Sequence, residues 1–186
     1  MSLAYRTLET PMGFAGVVAG AAGLRRVYLP EASEPALLRK IHADEPEAVE
    51  NARLLPELAD ALRRYFAGKP VTFEVELDIG EFTAFQQAAL RACAAVGYGE
   101  TATYGELAER IGHAGAARAV GSSMARNRIP IVIPCHRIIG ANNGMCGFSG
   151  PGGVASKEAL LRMERAATAS AMESPRRTRT QKLVAV

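Results

Sequence analysis

Cys135, His136 and Arg137 follow one another inside the apolar run Ile129-Pro-Ile-Val-Ile-Pro-Cys-His-Arg-Ile-Ile139. A thiol is a strong nucleophile only as the thiolate, and an imidazole within reach, directly or through a water, can take its proton. Pro130 and Pro134 deny this run a regular helix or a central strand. Its Ile and Val side chains nevertheless demand burial, so the run is predicted to be irregular backbone held rigidly in the core. Adjacent side chains on an extended strand face opposite ways, so a bridging water or a bend has to connect Cys135 with His136. The two remaining cysteines read differently: Cys93 falls on a predicted helix as a packing residue, and Cys146 is a bystander near the same site. Three cysteines with neither Cys-x-x-Cys spacing nor a histidine at ligand spacing argue against a disulfide framework and a structural zinc. No metal and no cofactor is expected, the first 80 residues holding no cysteine and only His42.

The reactive run needs a scaffold. Phe14–Ala19 and Leu24–Leu29 read as strands joined by the turn Gly20-Ala-Ala-Gly23. Leu37–Ile41 has the apolar spacing of a short helix, and Leu54, Leu55, Leu58, Leu62, Tyr65 and Phe66 form an amphipathic stripe over Asn51–Ala67, closed by Gly68 and Pro70. Val71–Leu77 alternates apolar with polar residues, which predicts a half-buried strand. From Thr83, a plausible N-cap, a helix runs past Phe85 to Val96. Thr103-Tyr-Gly-Glu106 has the form of a capping box and opens a helix through Ile111, and a second helix is expected over Ala116–Arg126. Two short helices across a glycine-containing turn make a helix-turn-helix, whose second helix enters a DNA groove. In that helix Ala116, Ala117, Ala119, Gly121, Ser122 and Ser123 are small, and Arg118 is the one long polar side chain. Reading bases takes several Arg, Asn or Gln side chains. This helix suits close, sequence-indifferent docking with one inserted cation, or alternatively a buried packing seam.

The chain has 186 residues, with 22 Lys and Arg against 19 Asp and Glu. Residues 1–80 carry 9 basic and 12 acidic residues and residues 81–186 carry 13 and 7, so only the second part has a polyanion binder's balance. Four of those basic residues, Arg176, Arg177, Arg179 and Lys182, sit in a Ser/Thr/Arg-rich end expected to be disordered. A mean hydropathy of +0.02 and the lack of a long uncharged apolar run argue against a membrane span. The N-terminus has no secretory pattern, which leaves a cytoplasmic protein as the expectation.

The blocks FQQAALRAC, TYGELAERIG, AARAVGSSMARN, IPCHRII, GFSGPGG and KEALLRME, in this order from Phe85 to Glu164, resemble the O6-alkylguanine-DNA alkyltransferases, also called methylated-DNA–protein-cysteine methyltransferases. The resemblance implies an α+β protein. Residues 1–80 would be a small N-terminal α/β domain, and residues 81–168 a mainly helical domain with the helix-turn-helix and a Pro-Cys-His-Arg active-site loop. Residues 169–186 would be a basic tail. It implies a monomeric DNA repair protein acting on double-stranded DNA that carries O6-alkylguanine, with O4-alkylthymine as a second lesion. The lesion is flipped out of the duplex. Cys135 would take the alkyl group irreversibly, once per molecule, since a thioether has no activated carbonyl or exchangeable sulfur.

The same resemblance assigns His136 as the water-mediated base and Glu164 as the group orienting it. Asn127 is the hinge between the recognition helix and the cysteine loop. Tyr104 helps rotate the nucleotide and polarises or protonates the departing guanine. Arg118 fills the vacated space in the duplex, with Ala117, Gly121 and Ser122 on the DNA-facing surface. Met124, Pro130, Ile138, Phe148 and Ser149 form the substrate pocket. Phe148 stands where family members often have Tyr, and the loop from Ser149 to Lys157 carries an extra Pro-Gly. An alternative is a relative that binds alkylated DNA and recruits other repair without transfer, against which the retention of Cys135, His136 and Glu164 argues. A Cys-His hydrolase, the other class, gives the small-residue helix no purpose.

Overall fold

The computed structural model describes residues 2–148, 150 and 152–173. The chain opens with three antiparallel strands, β1 (Ala4–Thr10), β2 (Gly13–Gly20) and β3 (Gly23–Glu31). The two-residue turn Ala21-Ala22 closes the expected hairpin, with Gly20 opposite Gly23. Gly23 has φ +114°, and a β-carbon there would drive into the Glu76 carbonyl, so turn and neighbouring segment both require glycine. Helix α1 (Glu34–Asp44) follows, then the short strand β4 (Val49–Glu50), which pairs parallel to β1 and completes the sheet order β3-β2-β1-β4. Helix α2 (Pro56–Phe66) starts with proline in its first turn, where the missing N–H costs nothing.

The sheet is covered on both faces. On one, Leu37 and Ile41 of α1 pack with Tyr5, Val18 and Tyr28. On the other, Leu8, Val17, Leu24 and Val27 share a single core with Leu58, Leu62 and Tyr65 of α2 and with Leu90, Leu107, Val120 and Ile133 of the following region. The two expected domains are thus joined by a common hydrophobic core. Truncating one of its fully buried leucines, such as Leu62, costs about 2–5 kcal/mol.

The second region holds α3 (Ala84–Ala94), β5 (Ala102–Thr103), α4 (Tyr104–Arg110), α5 (Ala117–Ala125), β6 (Ile138–Ile139) and α6 (Gly153–Glu173). Thr83 and Thr103 both form complete capping boxes, with Gln86 and Glu106 reaching back to the cap N–H groups. Helices α4 and α5 form the expected helix-turn-helix.

Two expectations need correction, and one strand adds to them. Val71–Leu77 is not a ladder strand: its side chains alternate half-buried and exposed as the pattern required, but Leu77 alone bridges, to Leu24. Alternation reports which face is buried and cannot report whether a partner edge is free. Strand β1 is additional, because its buried Tyr5, Leu8 and Thr10 do not alternate. Helix α6 runs through residue 168 to Glu173, carried past the expected tail boundary by the strong helix formers Ala166, Ala167, Ala169 and Ala171. Residues 174–186, including the four basic residues of the expected tail, lie outside the described residues.

Candidate active site

Residues 129–134 leave α5 without forming a helix or a regular strand, as the two prolines dictate. Ile131 is held at φ +74° although it is β-branched and 1% exposed, a backbone strain of about 1–3 kcal/mol that the packed core enforces. The run then tightens into a 3-10 turn over Cys135–Arg137. A turn replaces the extended geometry that would have sent Cys135 and His136 to opposite faces, so of the two connections left open by the sequence, a water or a bend, the backbone bends here.

Asn127 braces this segment from three sides. Its Nδ2 donates to the Ile133 carbonyl at 2.8 Å, its Oδ1 accepts from the Ile129 N–H at 2.9 Å, and its side chain hydrogen-bonds the Cys135 thiol. Burial pushes that thiol up from its ordinary value, while the Asn127 bond, the charge of Lys157 and backbone N–H groups pull the other way. Burial also lowers His136, opposed by Glu164. Both partners therefore rest uncharged, as thiol and imidazole.

His136 and Glu164 are fully buried. His136 Nε2 lies 2.8 Å from Glu164 Oε1, and Nδ1, on the other side of the ring, has no hydrogen-bond partner among the described residues. Glu164, on α6, is the hub. Arg137 grips it with two bonds, Nε to Oε2 at 2.9 Å and Nη2 to Oε1 at 3.0 Å, and its third nitrogen caps the Val96 carbonyl at 2.7 Å. The Gly99 N–H donates to Oε2 at 3.1 Å and the Tyr65 hydroxyl to Oε1 at 2.7 Å. Burial alone would raise this carboxyl, but hydrogen bonds from His136 and Arg137 outweigh it and hold the group down at about 2.

Sequence reasoning gave no role to Tyr65, Arg137, Gly99 or Lys157. In the sequence Tyr65 reads as one member of an amphipathic stripe. Lys157, also fully buried, donates to the Ile138 carbonyl at 2.5 Å and the Cys146 carbonyl at 3.0 Å, and lies over the Tyr104 ring at 5.8 Å. Its one earlier signal is its place in the KEALLRME block, seven residues before Glu164 on the same face.

Two connected cavities meet at half-buried Cys135. The smaller, about 270 Å³, is bounded by Tyr104, Gly121, Met124, Ala125, Gly147 and Phe148. The larger, about 750 Å³, extends past Pro130 and Phe148 to Arg26, Tyr28 and Lys40 of the first region. Gly121 brings α5 close to the Tyr104 ring, where an added β-carbon would meet the ring edge at 3.8 Å. Burial and the neighbouring Cys146 and Cys135 push the Tyr104 hydroxyl up to about 12. Arg118 and Ser122 are exposed on α5, and Ala117 is half-buried at its start. Ile138 is fully buried and lines neither cavity, and its carbonyl is taken by Lys157. Ser149 lies outside the described residues. Cys93 is buried on α3 and Cys146 is exposed. Among the described residues no group of three or more His, Cys, Asp and Glu side chains is arranged to hold a metal ion.

Both regions of the chain are similar to known proteins. Residues 3–79 match the family model for the 6-O-methylguanine DNA methyltransferase ribonuclease-like domain, and residues 84–166 match the model for its DNA binding domain. The methylated-DNA–protein-cysteine methyltransferase of Mycobacterium tuberculosis strain H37Rv is 41% identical over 164 residues, covering 87% of this chain and 92% of the relative. That of Methanosarcina acetivorans is 38% identical, covering 86% and 97%. The crystal structure of M. tuberculosis OGT in complex with DNA superposes with a TM-score of 0.71 at 38% identity, covering 88% of this chain and 93% of that one. With both of its regions matched in order and 87% of its length covered by a relative, the chain belongs to the 6-O-methylguanine DNA methyltransferase family.

Proposed function

We propose that this protein repairs alkylated double-stranded DNA by flipping O6-alkylguanine out of the stack and transferring the alkyl group to its own Cys135. The observation that carries the reading is a half-buried thiol lining the cavity between α5 and Phe148, its neighbour in the same 3-10 turn a buried imidazole bonded to a buried carboxylate. A thiol in such a recess cannot reach a stacked base, so the base must come to it.

The Cys135 proton passes to His136, through a water on the open Nδ1 side, and the imidazolium formed is stabilised by Glu164 across Nε2. The thiolate attacks the alkyl carbon. A carbon–sulfur bond forms, the carbon–O6 bond breaks, and its electron pair leaves with the guanine. Tyr104 keeps its proton, since its hydroxyl titrates near 12, and acts as a hydrogen-bond donor to the departing base. Exposed Arg118 enters the space the base vacates, while the half-buried Ala117 and Gly121 and exposed Ser122 let α5 lie close to the backbone. The product is a thioether that no group in the site can cleave, so each molecule acts once. The protein acts as a monomer, and O4-alkylthymine is a second substrate.

Excess protein incubated with duplex carrying O6-methylguanine should gain one CH2 in intact mass, mapped to the Cys135 peptide, and Cys135→Ala should gain none while still binding the duplex. Binding without mass gain would leave a recruiter of other repair, and repeated turnover would exclude a single-use acceptor.

A further inference from the structure

Tyr65 belongs to α2 in the first region, 71 residues before His136, and its side chain is fully buried. Its hydroxyl donates to Glu164 Oε1 at 2.7 Å and lies 3.2 Å from His136 Nε2, which itself sits 2.8 Å from the same oxygen. Three polar atoms from three separate parts of the chain close a triangle. The ring is fixed edge-on against Phe66 and Tyr98, tilted on Phe73, and edge-on to the imidazole at 6.4 Å between centroids. A residue serving the core alone has no use for a hydroxyl here, since burying one requires a partner.

Charge balance does not require it either. Arg137 already neutralises Glu164 with a two-bond grip, and Gly99 supplies a further donor. What the hydroxyl adds is specific to Oε1, the oxygen shared with His136. We propose that Tyr65 is a positioning residue of the alkyl-transfer relay, donating to the carboxylate oxygen that faces His136 and thereby setting how firmly the imidazole holds a proton. In its part concerning transfer, this rests on the reading of Cys135 as acceptor.

The groups facing the relay come from every element packed on it: Cys135 and Arg137 from the 3-10 turn, Glu164 and Lys157 from α6, Tyr98 and Cys93 from α3 and the loop beyond it, and Tyr65 from α2. Burial and Glu164 both raise the Tyr65 hydroxyl, so it stays protonated and keeps donating throughout the working range. Removing the donor leaves Oε1 more basic, and a more basic carboxylate stabilises imidazolium more strongly.

The test uses the full chain as wild type and as Tyr65→Phe, which keeps the ring. His136 is followed by NMR of its labelled imidazole without DNA, and single-turnover transfer from an O6-methylguanine duplex is followed against pH. In Tyr65→Phe the His136 titration should move up by about one pH unit, the acid limb of the rate profile should move with it, and transfer below that limb should slow about tenfold. An unmoved His136 titration overturns the proposal and leaves Tyr65 as core packing. A second variant carries 3,5-difluorotyrosine at position 65, a stronger donor of almost the same shape, and should shift the titration downward. It decides the matter if Tyr65→Phe fails to fold, and no shift or an upward shift in it also overturns the proposal. Failure of the wild type to transfer would sink the acceptor reading alone, because the titration needs no DNA.

Discussion

At the scale of single residues, the site shows a thiol and an imidazole that are both held neutral by burial, with their activation deferred. Asn127 is the side chain that most directly limits this burial cost. Its two backbone contacts are made by opposite ends of one amide, so Asn127→Ala orphans the Ile129 N–H and leaves the Ile133 carbonyl held by the Cys135 N–H alone. We expect a loss of about 2–4 kcal/mol in unfolding free energy by denaturant titration. The thiol also loses a donor and should titrate higher still, which iodoacetamide alkylation rates against pH will report. Asp at this position should keep the Ile129 contact and restore part of the stability, but a carboxylate cannot donate, so the thiol should stay raised. The residues legible in the sequence were those with an unusual local pattern: Cys135 and His136 directly after two closely spaced prolines, and Arg118 alone among small neighbours. Tyr65 had no such mark. A tyrosine at helical spacing looks like core, and nothing near position 65 in the sequence announces a carboxylate at position 164.

At the scale of elements, α5 carries the expected division of labour: Val120, Ser123 and Met124 are buried, and Arg118, Ala119 and Ser122 face outward. The capping boxes that begin α3 and α4 were readable because both halves of each motif lie within four residues. The false strand at Val71–Leu77 shows the converse, since a two-residue period survives wherever one side of an extended chain is buried. Arg118 is the test of the helix. Arg118→Ala should slow transfer from duplex by ten-fold or more while leaving reaction with free O6-benzylguanine within about two-fold, because only a duplex closes over an extruded base. Equal losses on the two substrates would remove the proposed role.

At the scale of the whole molecule, one core spans both regions and buries the relay beneath it, which ties stability to protonation. His136 titrates lower folded than unfolded, so the unfolded chain binds the additional proton. Stability contributed by the neutral imidazole is therefore complete above about pH 6.5 and falls as pH drops below it. Glu164, held near 2, adds a second loss that begins near the ordinary carboxylate value of about 4.3 and is complete as pH falls through 2. Thermal unfolding followed from pH 8 to pH 2 should show Tm declining below pH 6.5. His136→Gln should flatten the upper part of that decline and leave the lower part. A domain boundary read in sequence says nothing about whether the pieces share an interior, and here one core spans the expected division. Helix α2 and the Cys135 loop meet only in the folded molecule, and neither segment's composition anticipates the other.

Helix α6 places Lys157, Leu160, Leu161 and Glu164 along one buried stripe, the first holding the loop after Cys135 and the last holding the relay beneath it. Seven residues of helix amount to about two turns, or about 10.5 Å. The helix is thus a ruler whose two graduations are read by different parts of the site. Substitutions on its outer face leave that measurement intact, whereas one residue inserted between the marks swings one of them about 100° out of line and breaks either the loop's anchor or the relay, whatever residue is inserted.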